Sequence, residues 1–167
     1  MSTQYVIRKL AVMSLLIIFF SVVSYVGEYA TAYAADQPVI KVVVIGKKAI
    51  SVTLSDGKQM TFDAVALLKQ ALTEEYKSIA MITVAEGAAA GKGELTIEPR
   101  KIELWKRSAI ATEGVFEARV NGTFIEGMYG ELVSSIDEAA AKKLMEGAAA
   151  DFAMRVRWHF PEQQTFQ

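Results

Sequence analysis

The sequence predicts an α+β domain: two helices packed on one face of a mainly antiparallel sheet, preceded by an N-terminal signal peptide or a single membrane anchor. Three observations predict it. Several short stretches alternate apolar and polar residues, and two of them end at the turn dipeptides Asp56-Gly57 and Asn121-Gly122. Two longer stretches repeat apolar residues at helical spacing. Leu10 to Val26 carries no charged residue at all.

That uncharged run is about 25 Å long as a helix, against a hydrocarbon core of about 30 Å. Arg8 and Lys9 precede it, and Ala32-Tyr33-Ala34 follows. A basic start, an apolar run and a small-x-small triplet are the three parts of an export signal, with cleavage expected after Ala34. Left uncleaved, the run is an inner-membrane anchor. Either way the remainder lies outside the cytoplasm, because Arg8 and Lys9 hold the short N-terminus inside. The organisation expected is therefore residues 1–34 as signal or anchor, 35–160 as one α+β domain and 161–167 as a tail.

The chain has 167 residues and a formal charge of −1. Losing Arg8, Lys9 and Glu28 with the first 34 residues makes it −2. A near-neutral balance argues against a nucleic-acid partner, which draws on a basic surface. There is no cysteine, which excludes a lipobox, disulfides and thiolate metal sites.

In order along the chain, Val39 to Ile45 is rich in β-branched residues and reads as a strand buried on both faces. Gly46-Lys47-Lys48 turns it. Ile50, Val52 and Leu54 alternate with polar residues up to Asp56-Gly57, and Lys58 to Phe62 returns as the partner strand. Asp63 suits the N-cap of a helix from Ala64 to Tyr76, with Val65, Leu68, Leu72 and Tyr76 on its apolar stripe. Ile79 to Val84 is a short strand, and Glu86 to Gly93 a loop. Leu95 and Ile97, then Ile102 and Leu104, alternate on either side of Pro99-Arg100. A two-residue turn there would set Ile97 opposite Ile102 and Leu95 opposite Leu104; one strand bent at Pro99 is the alternative. Asn121-Gly122 sets Val120 against Thr123, Ala118 against Ile125, Phe116 against Gly127 and Glu117 against Glu126. Ser135 and Glu138 have the spacing of a capping box for a last helix that presents Ala141, Leu144, Met145, Ala148 and Phe152. Glu138 and Lys142 are spaced as an i,i+4 pair on its outer side. Gly147 with Ala148, Ala149 and Ala150 gives that helix the low relief needed to lie close on a sheet. Val156, Trp158 and Phe160 fit either the end of this helix or a final strand.

No catalytic, cofactor-binding or metal-binding constellation emerges. Gly87-Ala-Ala-Ala-Gly-Lys-Gly93 is one residue short of a phosphate loop and lacks its Ser or Thr, so a plain loop is favoured. His159 is the lone histidine, with no oriented partner suggested by spacing. Glu113, Glu117 and Glu126 fall on one wet sheet face, better explained by solvation than by acid–base chemistry. In the registers above, that face carries Thr96, Glu103, Trp105, Glu117, Arg119, Phe124 and Glu126. Aromatics among charges suit a protein interface. Trp105 and Phe124 are its expected anchors, Arg119 lies beside them, and Arg155, Arg157 and Trp158 form a second candidate surface.

The element order carried by Ala64–Tyr76, Leu95-x-Ile97, Ile102-x-Leu104, Phe116-x-Ala118-x-Val120, the Asn121-Gly122 turn and Ser135–Phe152 resembles a known group. These are small periplasmic accessory proteins of the lipopolysaccharide-assembly and ABC-transport auxiliary lipoprotein type. The resemblance covers roughly residues 62–156. It implies a non-enzymatic role in envelope transport or assembly, an envelope protein as partner, and membrane contact through the N-terminal segment if that is retained. The lipobox cysteine of those families is missing. Anchored periplasmic subunits of energy-transducing complexes, of the biopolymer-transport type, also join one span to a small strand–helix domain, but their span holds an acid and Leu10–Val26 does not. An enzyme with an unrecognised site is the third class.

Overall fold

A computed structural model of the chain describes residues 38–46 and 48–160. The signal or anchor segment and the tail lie outside those residues, as does Lys47. The order of elements is β1 (Val39–Val44), β2 (Ala49–Thr53), β3 (Gln59–Asp63), α1 (Ala64–Tyr76), β4 (Met81–Glu86), β5 (Leu95–Lys106), β6 (Thr112–Val120), β7 (Thr123–Glu131) and α2 (Glu138–His159). Five strands form one sheet in the order β4-β1-β5-β6-β7, and β2 and β3 form a separate hairpin. The sheet is mixed: β1 runs parallel to β4 and β5, whereas β5, β6 and β7 are antiparallel. The domain is α+β, with both helices on one face.

The sheet's inner face supplies Ile40, Val42, Val44, Ile82, Ile97, Ile102, Phe116, Ala118, Val120 and Ile125 to a single core. Leu68, Leu72 and Tyr76 of α1 and Met145, Ala148, Phe152 and Val156 of α2 close it from above. Ile50, Val52, Leu54 and Phe62 of the β2–β3 hairpin join the same cluster. Burying such side chains is the main favourable term in folding.

Local chemistry explains most boundaries. The Asp63 carboxylate accepts the N–H groups of Val65 (2.8 Å) and Ala66 (3.3 Å), satisfying two orphan donors at the start of α1. Asn121 and Gly122 both take positive φ, 47° and 83°, as a tight hairpin turn requires. The resulting register pairs Val120 with Thr123, Ala118 with Ile125, Phe116 with Gly127 and Glu117 with Glu126, as the sequence implied. The α2 helix lies so close on β6 and β7 that side chains must give way. A Cβ at Gly127 would collide with the backbone of Ala148 and Phe152, one at Gly114 with Leu144, and one at Gly147 with the ring of Tyr129.

Several expectations are corrected. Pro99-Arg100 is not a hairpin turn. Leu95 to Lys106 is one strand with a bulge between Pro99 and Lys101, and all of it past Leu95 and Thr96 pairs with β6. A two-residue turn and a one-residue bulge shift the inward phase identically, from odd positions (Ile97, Pro99) to even ones (Ile102, Leu104), so periodicity alone does not separate them. Ser135 is not the N-cap of α2. Asp137 is, its Oδ1 accepting the N–H of Ala140 at 2.8 Å, so the capping box does not form. Residues 135–136 are held off the helix because Ile136 N–H donates to Ser55 Oγ at 2.7 Å and Ser55 N–H donates to Ile136 O at 3.0 Å. Lys142 then pairs with Glu146 at 3.8 Å rather than with Glu138. The strand expected at Ile79–Val84 begins at Met81. β1 is buried on both faces only at Val42, Val43 and Val44; Val39 and Lys41 are exposed. Val156 to His159 continue α2 rather than forming a strand.

The sheet's edges are β4 and β7, and devices against further pairing are found on β7 and on the part of β5 that outruns β1. The last β1–β5 pair is Val44 with Ile97, so β5 runs on without a strand on that side. There it has Pro99, which lacks an N–H, and the bulge. On the opposite edge, Met128 N–H donates to Asp151 Oδ2 of α2 at 2.9 Å, and Arg155 Nε donates to the same oxygen at 2.9 Å.

Candidate functional site

With the helices on one side, no other element among the described residues packs on the far side of the β5–β6–β7 sheet. Register sorts its side chains into cross-strand rows. Glu98, Arg119 and Phe124 share one row and Lys101, Glu117 and Glu126 the next. Glu103, Val115 and Met128 follow, then Trp105, Glu113 and Gly130. Thr96 precedes them on the same face of β5. Every residue assigned to this face from the sequence lies on it.

The Trp105 ring is 51% exposed and the Phe124 ring 56%. Arg107 lies over the Trp105 ring at 5.1 Å, and its Nε donates to Glu113 Oε2 at 2.6 Å. One face of the ring is thus covered by a paired cation, and the residue remains half exposed. Val115 is only 2% exposed although it points away from the main core, between Glu103 and Met128 in its row. Lys101 bonds Glu103 at 2.6 Å and lies 3.9 Å from Glu117. The bond to Glu103 holds the Lys101 ammonium above its usual range; desolvation opposes it, and the charges of Glu103, Glu117 and Glu126 add to the rise.

Sequence reasoning missed Arg107, Lys101, Val115 and Met128. Lys101 and Val115 are brought to this face by the β5–β6 register, Met128 by the β6–β7 register, and Arg107 by its bond to Glu113.

The second candidate surface is less free than its composition suggests. Arg157 Nη1 donates to Glu75 O at 3.2 Å and to Glu75 Oε1 at 3.0 Å, tying α2 to the end of α1. Arg155 is engaged with Asp151. Trp158 alone projects, 69% exposed. Beside the Arg157–Glu75 link, burial pushes the Tyr76 phenol up to about 12, with Arg157 pulling it back and Glu75 adding to the rise. An unfolded tyrosine ionises near 10. Stability from this group is therefore fully present below about pH 10 and is lost as pH rises towards about 12. The melting temperature is expected to fall over that window, and Tyr76→Phe should remove part of the fall; parallel profiles of the two proteins would contradict it.

The remaining candidates are structural. The 87–93 loop leads into a strand, β5, whereas a phosphate loop leads into a helix. Gly87 sits against Val43, where a Cβ would press on Val43 Cγ1. His159 is exposed in the last turn of α2. Among the described residues, no group of three or more His, Cys, Asp or Glu is placed to hold a metal ion, and no helix is long and apolar enough to cross a membrane.

No family model matches the chain, and no curated protein matches it. Among solved structures, protein XCC0632 from Xanthomonas campestris, assigned to DUF330, overlays with a TM-score of 0.42 at 16% identity, over 76% of this chain and 86% of that one. An uncharacterized protein overlays with a TM-score of 0.35 at 10% identity, over 74% of this chain and 92% of that one. Likeness of this degree assigns neither activity nor partner.

Proposed function

We propose that this chain is a non-enzymatic accessory protein of the cell envelope that holds a partner protein on the open β5–β6–β7 face. The observation that carries the reading is the pair of half-exposed rings, Trp105 and Phe124, at opposite corners of a face whose other side is closed by two helices. Large rings on a rigid sheet bring apolar contact area at low entropic cost, and interfaces concentrate their energy in such anchors. The exported location rests on Leu10–Val26 with its flanking Arg8, Lys9 and Ala32-Tyr33-Ala34. That segment serves as a signal peptide or, uncleaved, as the anchor of an inner-membrane subunit.

Truncating an anchor costs about 2 kcal/mol or more, about thirtyfold in affinity. Trp105→Ala and Phe124→Ala are expected to weaken co-purification with an envelope partner by about that factor. The exposed Arg107–Trp105 contact is worth only about 0.5–1 kcal/mol, so the melting temperature should move by only a few degrees. A sharp drop in melting temperature with unchanged co-purification would overturn the reading.

A further inference from the structure

We infer that the partner's contribution to this face is a basic segment, seated across Glu117 and Glu126 between the rings of Trp105 and Phe124. The inference rests on the interface reading above and specifies the chemistry that fits it.

Charge is the first argument. Glu98, Glu103 and Glu113 each have a cation of their own: Arg100 at 2.8 Å, Lys101 at 2.6 Å and Arg107 at 2.6 Å. Glu117 has only a share of Lys101, at 3.9 Å, and Glu126 faces the same ammonium at longer range, with no ion pair of its own among the described residues. Yet Glu117 and Glu126 stand directly opposite each other in the β6–β7 ladder. Arg119, one row away, makes no ion pair with either. Like charges directly opposite destabilise a sheet. A guanidinium or ammonium group from outside turns that local cost into an attraction.

Size is the second argument. Three strands about 4.8 Å apart and four rows make a face of about 14 Å by 25 Å, about 350 Å². A stable dimer of globular chains needs about 800 Å² per partner, so a second copy of this chain is too large an occupant for too small a seat. The loop after β4, with Gly87 packed on Val43, occupies the neighbouring part of the same face and limits extension that way. An extended segment of a partner, with basic residues over the carboxylates and apolar ones against the Trp105 and Phe124 rings, matches both dimensions.

The test uses the full chain in a neutral detergent with Trp158→Phe, which leaves Trp105 as the only indole. The probe is a nine-residue peptide alternating arginine and threonine, and the control replaces each arginine by glutamate. Trp105 emission is expected to saturate with the arginine peptide and not with the control. Glu126→Gln should weaken binding about fivefold while raising the melting temperature slightly, and Glu126→Lys should weaken it by about tenfold or more. Glu146→Gln, in the acid-lined cleft between α1 and α2, should leave binding unchanged. Equal binding by the Glu126 variants, an equal effect of Glu146→Gln, or no response to the arginine peptide overturns the inference. If that happens while Trp105→Ala still weakens co-purification, the face is an interface for a partner that is not basic. If the alanine variants lower only the melting temperature, the interface reading itself falls.

Discussion

A valine at Gly127 is expected to cost at least about 3 kcal/mol and to lower the melting temperature by about 10 °C. The position is the point of closest approach between α2 and the sheet. A new Cβ would meet the Ala148 carbonyl oxygen, the Phe152 amide nitrogen and the Phe152 Cβ. Two of these are backbone atoms of a helix held along its length, so no rotamer change makes room. The helix must lift, and lifting it exposes Ala148, Phe152 and Met145, all fully buried. Gly130→Ala is the control. It lies on the same strand but on the open face, and its Cβ would meet only the Glu113 side chain, at 3.2 Å from Cγ. That side chain can move, so the cost should stay below about 1 kcal/mol. Thermal unfolding of both variants decides it; a Gly127→Val protein that melts like its parent would mean α2 does not sit on β7 as described.

Phe152→Ala is expected to cost about 3–5 kcal/mol, the range for removing a buried ring. Phe152 and Phe116 are both fully buried, with ring centroids 4.9 Å apart and planes tilted by 46°. The pair joins the middle of α2 to the middle of β6, so the cavity would open where helix and sheet are best supported by neighbours and can relax least. A double-mutant cycle with Phe116→Ala should give a coupling of about 0.5–1.5 kcal/mol, because each ring loses its partner only once. The urea midpoint should fall with an unchanged slope, the sign that stability rather than compactness has changed.

What the sequence made legible is what local chemistry dictates. Asp63 marks the start of α1 by a side-chain bond to its own next turn, and Asn121-Gly122 dictates β6–β7 pairing residue by residue. Because that register is right, Glu117, Arg119, Phe124 and Glu126 fall correctly on the open face. The failures share a different cause. Pro99 sits inside a strand whose bulge mimics the phase shift of a turn. Ser135 has the pattern of a cap, but a contact with Ser55, eighty-one positions away, starts the helix later. Nothing in Val39–Val44 announces that β1 will lie between β4 and β5, since parallel pairing is decided by connections rather than by the strand itself. Arg157 reads as a free surface cation until the fold brings Glu75 beside it.

The bulge at Pro99 and the Asp151 bond to Met128 have a colloidal consequence. Fibres of the cross-β type grow when each arriving strand finds an unbroken row of backbone groups to copy. Where β5 outruns β1 that row lacks a donor and steps sideways, and along β7 a donor is already spent on a carboxylate, which leaves β4 as the border with a row to copy. Templating is therefore confined to fewer places than so much β structure would otherwise offer, and variants that straighten β5 or remove the Asp151 carboxylate are the ones that should gel more readily.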